Sequence, residues 1–147
     1  MFNFGEVVDS NRAKNFNPIV LAFIGDAVYS LFIREKLAFQ SDKKVGELNK
    51  LATQSVKATS QAEFLQEIMP LLNEEEIAIY KRARNAKKTT RAKSASVAEY
   101  NSSTGFEAIL GYLYIIGNLD RLNYLLNKGE TNEGWRKKFG FWITKNR

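Results

Sequence analysis

Neither cysteine nor histidine occurs anywhere in the 147 residues. Their absence removes whole classes of chemistry. Without cysteine there is no disulfide, no thiol nucleophile and no thiolate metal ligand. Without histidine there is no imidazole base, so Ser-His-Asp chemistry and Cys/His zinc sites are both excluded. An enzyme of this composition has to work with carboxylates, lysine, tyrosine or a metal held by oxygen. Hard oxygen donors suit Mg²⁺ or Mn²⁺. Proline is scarce, with only Pro18 and Pro70. No apolar run approaches the roughly 20 residues of a membrane helix. The first residues, Met1-Phe2-Asn3-Phe4-Gly5-Glu6, lack the basic start and apolar core of a signal peptide. The expected location is therefore the cytoplasm, with no membrane partner.

What is present is an ordinary globular balance, 44% hydrophobic and 26% charged. That is enough for one domain with a real core. The net charge is +6, from 22 basic and 16 acidic residues. Its distribution says more than its sum. Lys81, Arg82, Arg84, Lys87, Lys88, Arg91 and Lys93 form a run of basic residues with no acid among them. With those seven set aside, the +6 becomes −1. Positive charge concentrated in this way is the electrostatic footprint of a polyanion partner.

The chain reads as all-α, about six to seven helices, with no strand alternation and no internal repeat. Asn17-Pro18 is an N-cap followed by proline at the first helical position. The helix it opens runs to about Phe39. Its apolar residues Ile19, Val20, Phe23, Ile24, Ala27, Val28, Leu31 and Phe32 are too many for one stripe. Such a helix is central, or buried against a partner chain as well as its own core. A second helix is expected from Val45 to about Ala58, with Val45, Leu48, Leu51, Ala52 and Val56 inward. A third runs from about Gln61 to Leu72, with Phe64, Leu65, Ile68 and Leu71 inward and Pro70 near its end. Asn73 and Glu76 make a capping-box pattern for a fourth. Lys87 to Ser96 reads as a polar, basic loop. A fifth helix follows from Val97, or from Asn101, to Ile116. Gly117-Asn118 ends it, and a sixth covers about Leu119 to Asn127, closed by Gly129. Residues 1–129 are thus expected to form one helical domain, the catalytic one if the motifs below are read by their resemblance. Residues 130–147 form a basic, aromatic tail with Trp135, Phe139, Phe141 and Trp142. The tail could pack as a short helix, touch RNA or be partly disordered, and packing is the expected outcome.

Two carboxylates stand in apolar surroundings. Asp26 lies in Phe23-Ile24-Gly25-Asp26-Ala27-Val28-Tyr29. Glu107 lies in Gly105-Phe106-Glu107-Ala108-Ile109-Leu110-Gly111. An unpaired buried carboxylate is costly. The commoner fate of such acids is to reach solvent or pair with a nearby Lys or Arg. The alternative rests on their small neighbours Gly25, Ala27 and Ala108, which let another helix come close. Two acids at analogous places on two apolar helices could then meet and share a cation.

Leu21-Ala22-Phe23-Ile24-Gly25-Asp26-Ala27-Val28-Tyr29 resembles the signature helix of the ribonuclease III family. Ser103-Thr104-Gly105-Phe106-Glu107-Ala108-Ile109-Leu110-Gly111 resembles its second acidic motif. The order and separation of the motifs fit, and the resemblance spans about Asn17 to Asn127. The chain after the sixth helix is too short for the double-stranded-RNA-binding domain of full-length members. That resembles the Mini-ribonuclease III branch, as does Arg84-Asn85-Ala86-Lys87 before a basic loop. The larger family usually has two further Glu positions in its signature helix. Here they are Ile19 and Ala22. It usually has an Asp three residues before the second motif's Glu, here Thr104.

The resemblance implies the ribonuclease III helical fold as a two-fold homodimer. It implies Mg²⁺-dependent hydrolysis of double-stranded or structured RNA, with Mn²⁺ able to substitute. Asp26 and Glu107 would be the catalytic and metal-binding residues, and the products would carry 5′-phosphate and 3′-hydroxyl ends. The implied substrate is precursor 23S ribosomal RNA near its mature ends. Arg84, Asn85, Lys87, Lys88, Arg91 and Lys93 are expected to follow the RNA backbone by shape rather than sequence. No accessory ribosomal-protein partner can be named from the residues. The competing reading is a non-catalytic RNA-binding or ribosome-associated protein on the same fold, against which the two acids count. A small helical DNA-binding protein would need a helix-turn-helix pair, and none is evident.

Overall fold

The computed structural model describes residues 5–88 and 95–129. The expected tail, 130–147, and the loop positions Arg91 and Lys93 lie outside them. Among the described residues the chain is helical with no strand. The helices are α1 (Ser10–Lys14), α2 (Pro18–Gln40), α3 (Val45–Ser55), α4 (Ala58–Ile68), α5 (Glu74–Asn85), α6 (Val97–Ile115) and α7 (Leu119–Gly129). A short 3-10 turn, Met69–Leu71, carries Pro70 after α4. No helix is long and apolar enough to cross a membrane among these residues.

Local chemistry explains most boundaries. Asn17 Oδ1 accepts from the Ile19 amide at 2.8 Å and Pro18 is the first residue of α2. The Asn73/Glu76 capping box is closed in both directions, at 2.8 and 3.0 Å, to start α5. A second box, Ser96 with Glu99, starts α6 and settles its beginning at Val97. Gly117 follows α6 with φ +74°, a left-handed conformation that suits glycine and turns the chain into α7. Helix α1 was not expected. Its five residues have no apolar period, only the Asp9 side chain accepting from the Arg12 amide.

Two expectations are corrected. The second helix ends at Ser55 rather than near Ala58, and the third already begins at Ala58. Val45 faces solvent rather than the core, being the first residue of α3.

Helix α6 is the axis of the fold, packed against α2, α5 and α4. From Ser103 to Leu113 every residue is buried except Glu107. The closest approach is to α2. A Cβ built on Gly25 would overlap the Glu107 carbonyl, and one on Gly111 would overlap the Leu21 carbonyl. Only glycine at both places lets the two backbones touch. An aromatic cluster then locks three helices together. Tyr29 on α2 meets Phe106 on α6 at 5.1 Å and Phe64 on α4 at 5.5 Å, and Phe64 meets Phe106 at 5.3 Å. Each such pair adds about 0.5–1.5 kcal/mol beyond its burial. A buried ion pair holds α7. Arg121 donates twice to Glu76, at 2.8 Å each, and once to the Leu71 carbonyl at 2.6 Å.

Candidate active site

The glycine-mediated crossing of α2 and α6 determines which side chains meet. Asp26 follows Gly25, and Glu107 lies one helical turn before Gly111. Crossing the helices at these glycines brings the two acids into hydrogen-bond contact. Their surroundings differ. Asp26 is exposed, whereas Glu107 is half-buried as a residue with its carboxyl largely withdrawn from water. Burial, first, and then the hydrogen bond and negative charge of Asp26 push the Glu107 carboxyl up to about 9. A hydrogen bond from Gln61 pulls the other way. A pair in this state needs a positive charge or a proton between its members. The ion pairs among the described residues, Lys14–Glu75 and Arg121–Glu76, involve neither acid. A divalent cation is the partner this donor set fits. Asp26 and Glu107 would be the residues to hold it, and its charge would stand in for the proton on Glu107.

The pair opens onto a cavity of about 520 Å³. Ile19, Ala22 and Thr104, the positions where the larger family carries further acids, line this same cavity. No group of three or more potential acidic ligands exists among the described residues. Cation ligands beyond Asp26 and Glu107 would therefore be water, RNA phosphate or neutral protein oxygen.

Cavity residues that the sequence reading did not place in the site include Lys57, Gln61 and Tyr100. Lys57 and Gln61 belong to the start of α4 and line the wall beside the two acids. Gln61 did carry a signal. Gln61, Phe64, Leu65 and Ile68 recur at helical spacing and are all buried, so a polar amide occupies a core position. Lys57 carried none that distinguishes it from other surface lysines.

The expected RNA-binding residues divide. Asn85 and Lys87 are exposed. Arg84 lies over the Tyr80 ring at 5.4 Å and donates to Asn85 Oδ1 at 3.1 Å. Tyr80 in turn packs on Gly105, two residues before Glu107, which places this end of α5 beside α6 near the acids. Lys88 is partly buried, with its ammonium donating to the Arg84 and Ala86 carbonyls at 2.9 Å each. It caps the end of α5, and its burial lowers its pKa. Arg82, also in the basic run, donates to the Lys14 and Phe16 carbonyls at 2.6 and 3.4 Å. Part of the concentrated positive charge thus satisfies backbone carbonyls. Arg91 and Lys93 lie outside the described residues.

The chain is similar to known proteins over most of its length. The Ribonuclease III domain family matches residues 19–118. A Mini-ribonuclease 3 of Clostridium tetani is 46% identical over 123 residues, 83% of this chain and 82% of the relative. One from Enterococcus faecalis is 42% identical, covering 82% of this chain and 96% of the relative. A crystal structure of a protein from Fusobacterium nucleatum superposes with a TM-score of 0.70 at 32% identity, covering 82% of this chain and 94% of that one.

Proposed function

Because the chain belongs to the ribonuclease III family, in its Mini-ribonuclease III branch, and is a ribonuclease III-type endoribonuclease, we propose that Asp26 and Glu107 are its catalytic, metal-holding residues and that it cuts double-stranded RNA with Mg²⁺. Mn²⁺ substitutes for Mg²⁺. The natural substrate is precursor 23S ribosomal RNA, cut near its mature ends in the cytoplasm, leaving 5′-phosphate and 3′-hydroxyl termini. The observation that carries this reading is the contact of the two acids at the α2/α6 crossing, on the wall of an open cavity.

The chain's own residues divide the work. Asp26, exposed, would hold the cation together with Glu107. Glu107, with its carboxyl largely withdrawn from water, would release its proton on holding a cation. A divalent cation bound there neutralises phosphate oxygens and acidifies a bound water. No histidine is needed, because no protein imidazole has to move the proton. Arg84, Asn85, Lys87 and Lys88 at the end of α5 would form an RNA-binding face, and Arg91 and Lys93, outside the described residues, continue the same basic run in sequence. Lys87 is the member free to follow phosphates among the described ones, and Lys88 acts mainly by holding the end of α5. Affinity falls steeply with salt through counterion release.

The exposed apolar face of α2 supports a homodimer. Val20, Phe23, Ala27 and Leu31 recur at helical spacing and are exposed, with Phe23 80% so. A second copy covering this face would set two cavities along one duplex, one for each strand.

The test is cleavage of an end-labelled perfect RNA duplex, with single-stranded RNA and duplex DNA as controls. Mg²⁺-dependent cuts in duplex RNA alone are expected, and EDTA abolishes them. Asp26→Asn or Glu107→Gln lowers the rate roughly a thousandfold or more, several kcal/mol of transition-state stabilisation, with RNA binding retained. Wild-type activity in either variant would remove the assignment. Binding without cleavage by the unmutated protein, on a structured ribosomal precursor as well, would favour the non-catalytic reading.

A further inference from the structure

Gln61 is the first inward residue of α4, and it is only 2% exposed. A glutamine is retained at such depth when its polar atoms are in use. Its Nε2 donates to the Val56 carbonyl at 3.2 Å. That bond fixes which end of the amide is which, since the opposite orientation would set oxygen against oxygen. The amide also hydrogen-bonds the Glu107 side chain. Both of its N–H groups then have acceptors. Oε1 has no partner among the described residues. It belongs to a residue lining the cavity that holds Asp26 and Glu107. A buried carbonyl oxygen left without a donor is unfavourable by about 1–3 kcal/mol, so this position asks for something to meet it.

Building on the function proposed above, we propose that Gln61 is a positioning residue of the carboxylate site. Its amide holds Glu107 in place, and its Oε1 is a neutral oxygen acceptor for the hydrated divalent cation of the pair. Three observations support this. Ile19, Ala22 and Thr104 leave the cavity with two carboxylates, so the donor set is short. A carbonyl oxygen enlarges that set without adding charge to two acids that already repel each other. The position is also rigid. Phe64, three residues further along α4, is locked against Tyr29 and Phe106 from the helices that carry Asp26 and Glu107. A purely structural role, tying the turn between α3 and α4 through Val56, accounts for one N–H. It leaves the bond to Glu107 and the open oxygen without a reason.

The test is calorimetric titration of Mn²⁺ into the protein without RNA, comparing wild type, Asp26→Asn, Gln61→Leu, Gln61→Met and Gln61→Glu. Asp26→Asn should lose measurable binding. Gln61→Leu and Gln61→Met should bind Mn²⁺ roughly 10- to 100-fold more weakly, the usual effect of losing an outer-sphere partner. Half-maximal duplex cleavage should then require correspondingly more metal, with the KM for RNA at saturating metal unchanged. Gln61→Glu keeps an oxygen in place and should bind more tightly than Gln61→Leu. Wild-type Mn²⁺ affinity in whichever apolar variant folds, or the reverse order of Glu and Leu, overturns the inference. If Asp26→Asn binds Mn²⁺ as wild type does, the two-carboxylate reading fails instead.

Discussion

Helices α2 and α6 are equally rich in apolar residues, yet the fold treats them differently. Helix α6 is surrounded by its own chain. Ten of its 19 residues are buried, and Glu107 is the single break from Ser103 to Leu113. Helix α2 is longer, at 23 residues, but buries six. It leaves Val20, Phe23, Leu31 and Phe39 exposed, the last two 59% and 61% so. The same composition therefore arises for two reasons. One helix is apolar because the monomer encloses it. The other is apolar on its inner side for the monomer and keeps an exposed apolar outer side, which the proposed homodimer would cover. The site lies where they cross, with the exposed acid on the half-exposed helix and the buried acid on the enclosed one.

The sharpest way to break this arrangement is at the crossing itself. Gly111→Val would drive a branched side chain into the Leu21 carbonyl. Backbone cannot yield as a flexible side chain can, so the penalty belongs at or above the upper end of the 1–3 kcal/mol typical of overpacking. The expected result is loss of cooperative unfolding, or a melting temperature lowered by about 6 °C or more at about 2–4 °C per kcal/mol for a domain of this size. An unchanged melt would mean that the two backbones do not approach as closely as described.

The next effect separates the two sides of α2. Leu31→Asp lies on the outer face, six residues beyond Gly25, where Leu31 is 59% exposed and outside the monomer core. Circular dichroism and melting of the monomer should hardly change. Self-association should weaken a hundredfold or more. About 1 kcal/mol of apolar burial is lost per copy, and two carboxylates would enter the seam without partners. Sedimentation of wild type and variant at micromolar concentration measures this. A wild-type protein that is monomeric there would leave the outer face of α2 without the role given to it.

How much of this was legible beforehand follows physical range. Asn17-Pro18 and Asn73 with Glu76 act on amides two or three residues away, so the letters alone placed the starts of α2 and α5. Gly25 and Gly111 both stood in recognisable motifs, and the first of them was read as a point of close approach. That reading left a meeting of Asp26 with Glu107, 81 positions apart, as one alternative, and the resemblance to the ribonuclease III family is what joined them. Gln61 and Lys57 were missed because their meaning lies in what α4 faces, which periodicity does not specify. Val45 was misjudged because an end residue of a helix keeps the period of the core stripe without reaching the core. The basic run shows a different limit. Lys87 and Lys88 are adjacent identical letters, yet one is exposed and the other caps two carbonyls. Charge counts cannot separate an exposed lysine from one that ends a helix.

The smallest effect tests the contrast between the two acids. In the unfolded chain Glu107 titrates near 4.5, and in the cation-free fold at about 9. Between those values the native state holds a proton that the unfolded chain has released. Stability linked to this proton is fully present below about pH 4.5 and is lost as pH rises toward 9. In EDTA the melting temperature should therefore fall by several degrees from pH 5.5 to 8.5. Glu107→Gln should flatten that slope, because the amide is neutral throughout. Asp26→Asn should flatten it only in part, since burial is the larger cause and Asp26 the smaller. Saturating Mn²⁺ should remove the slope in wild type by taking the place of the proton. If the slope survives in Glu107→Gln, the enclosed helix does not carry the strained charge. The asymmetry between α2 and α6 would then be one of packing alone.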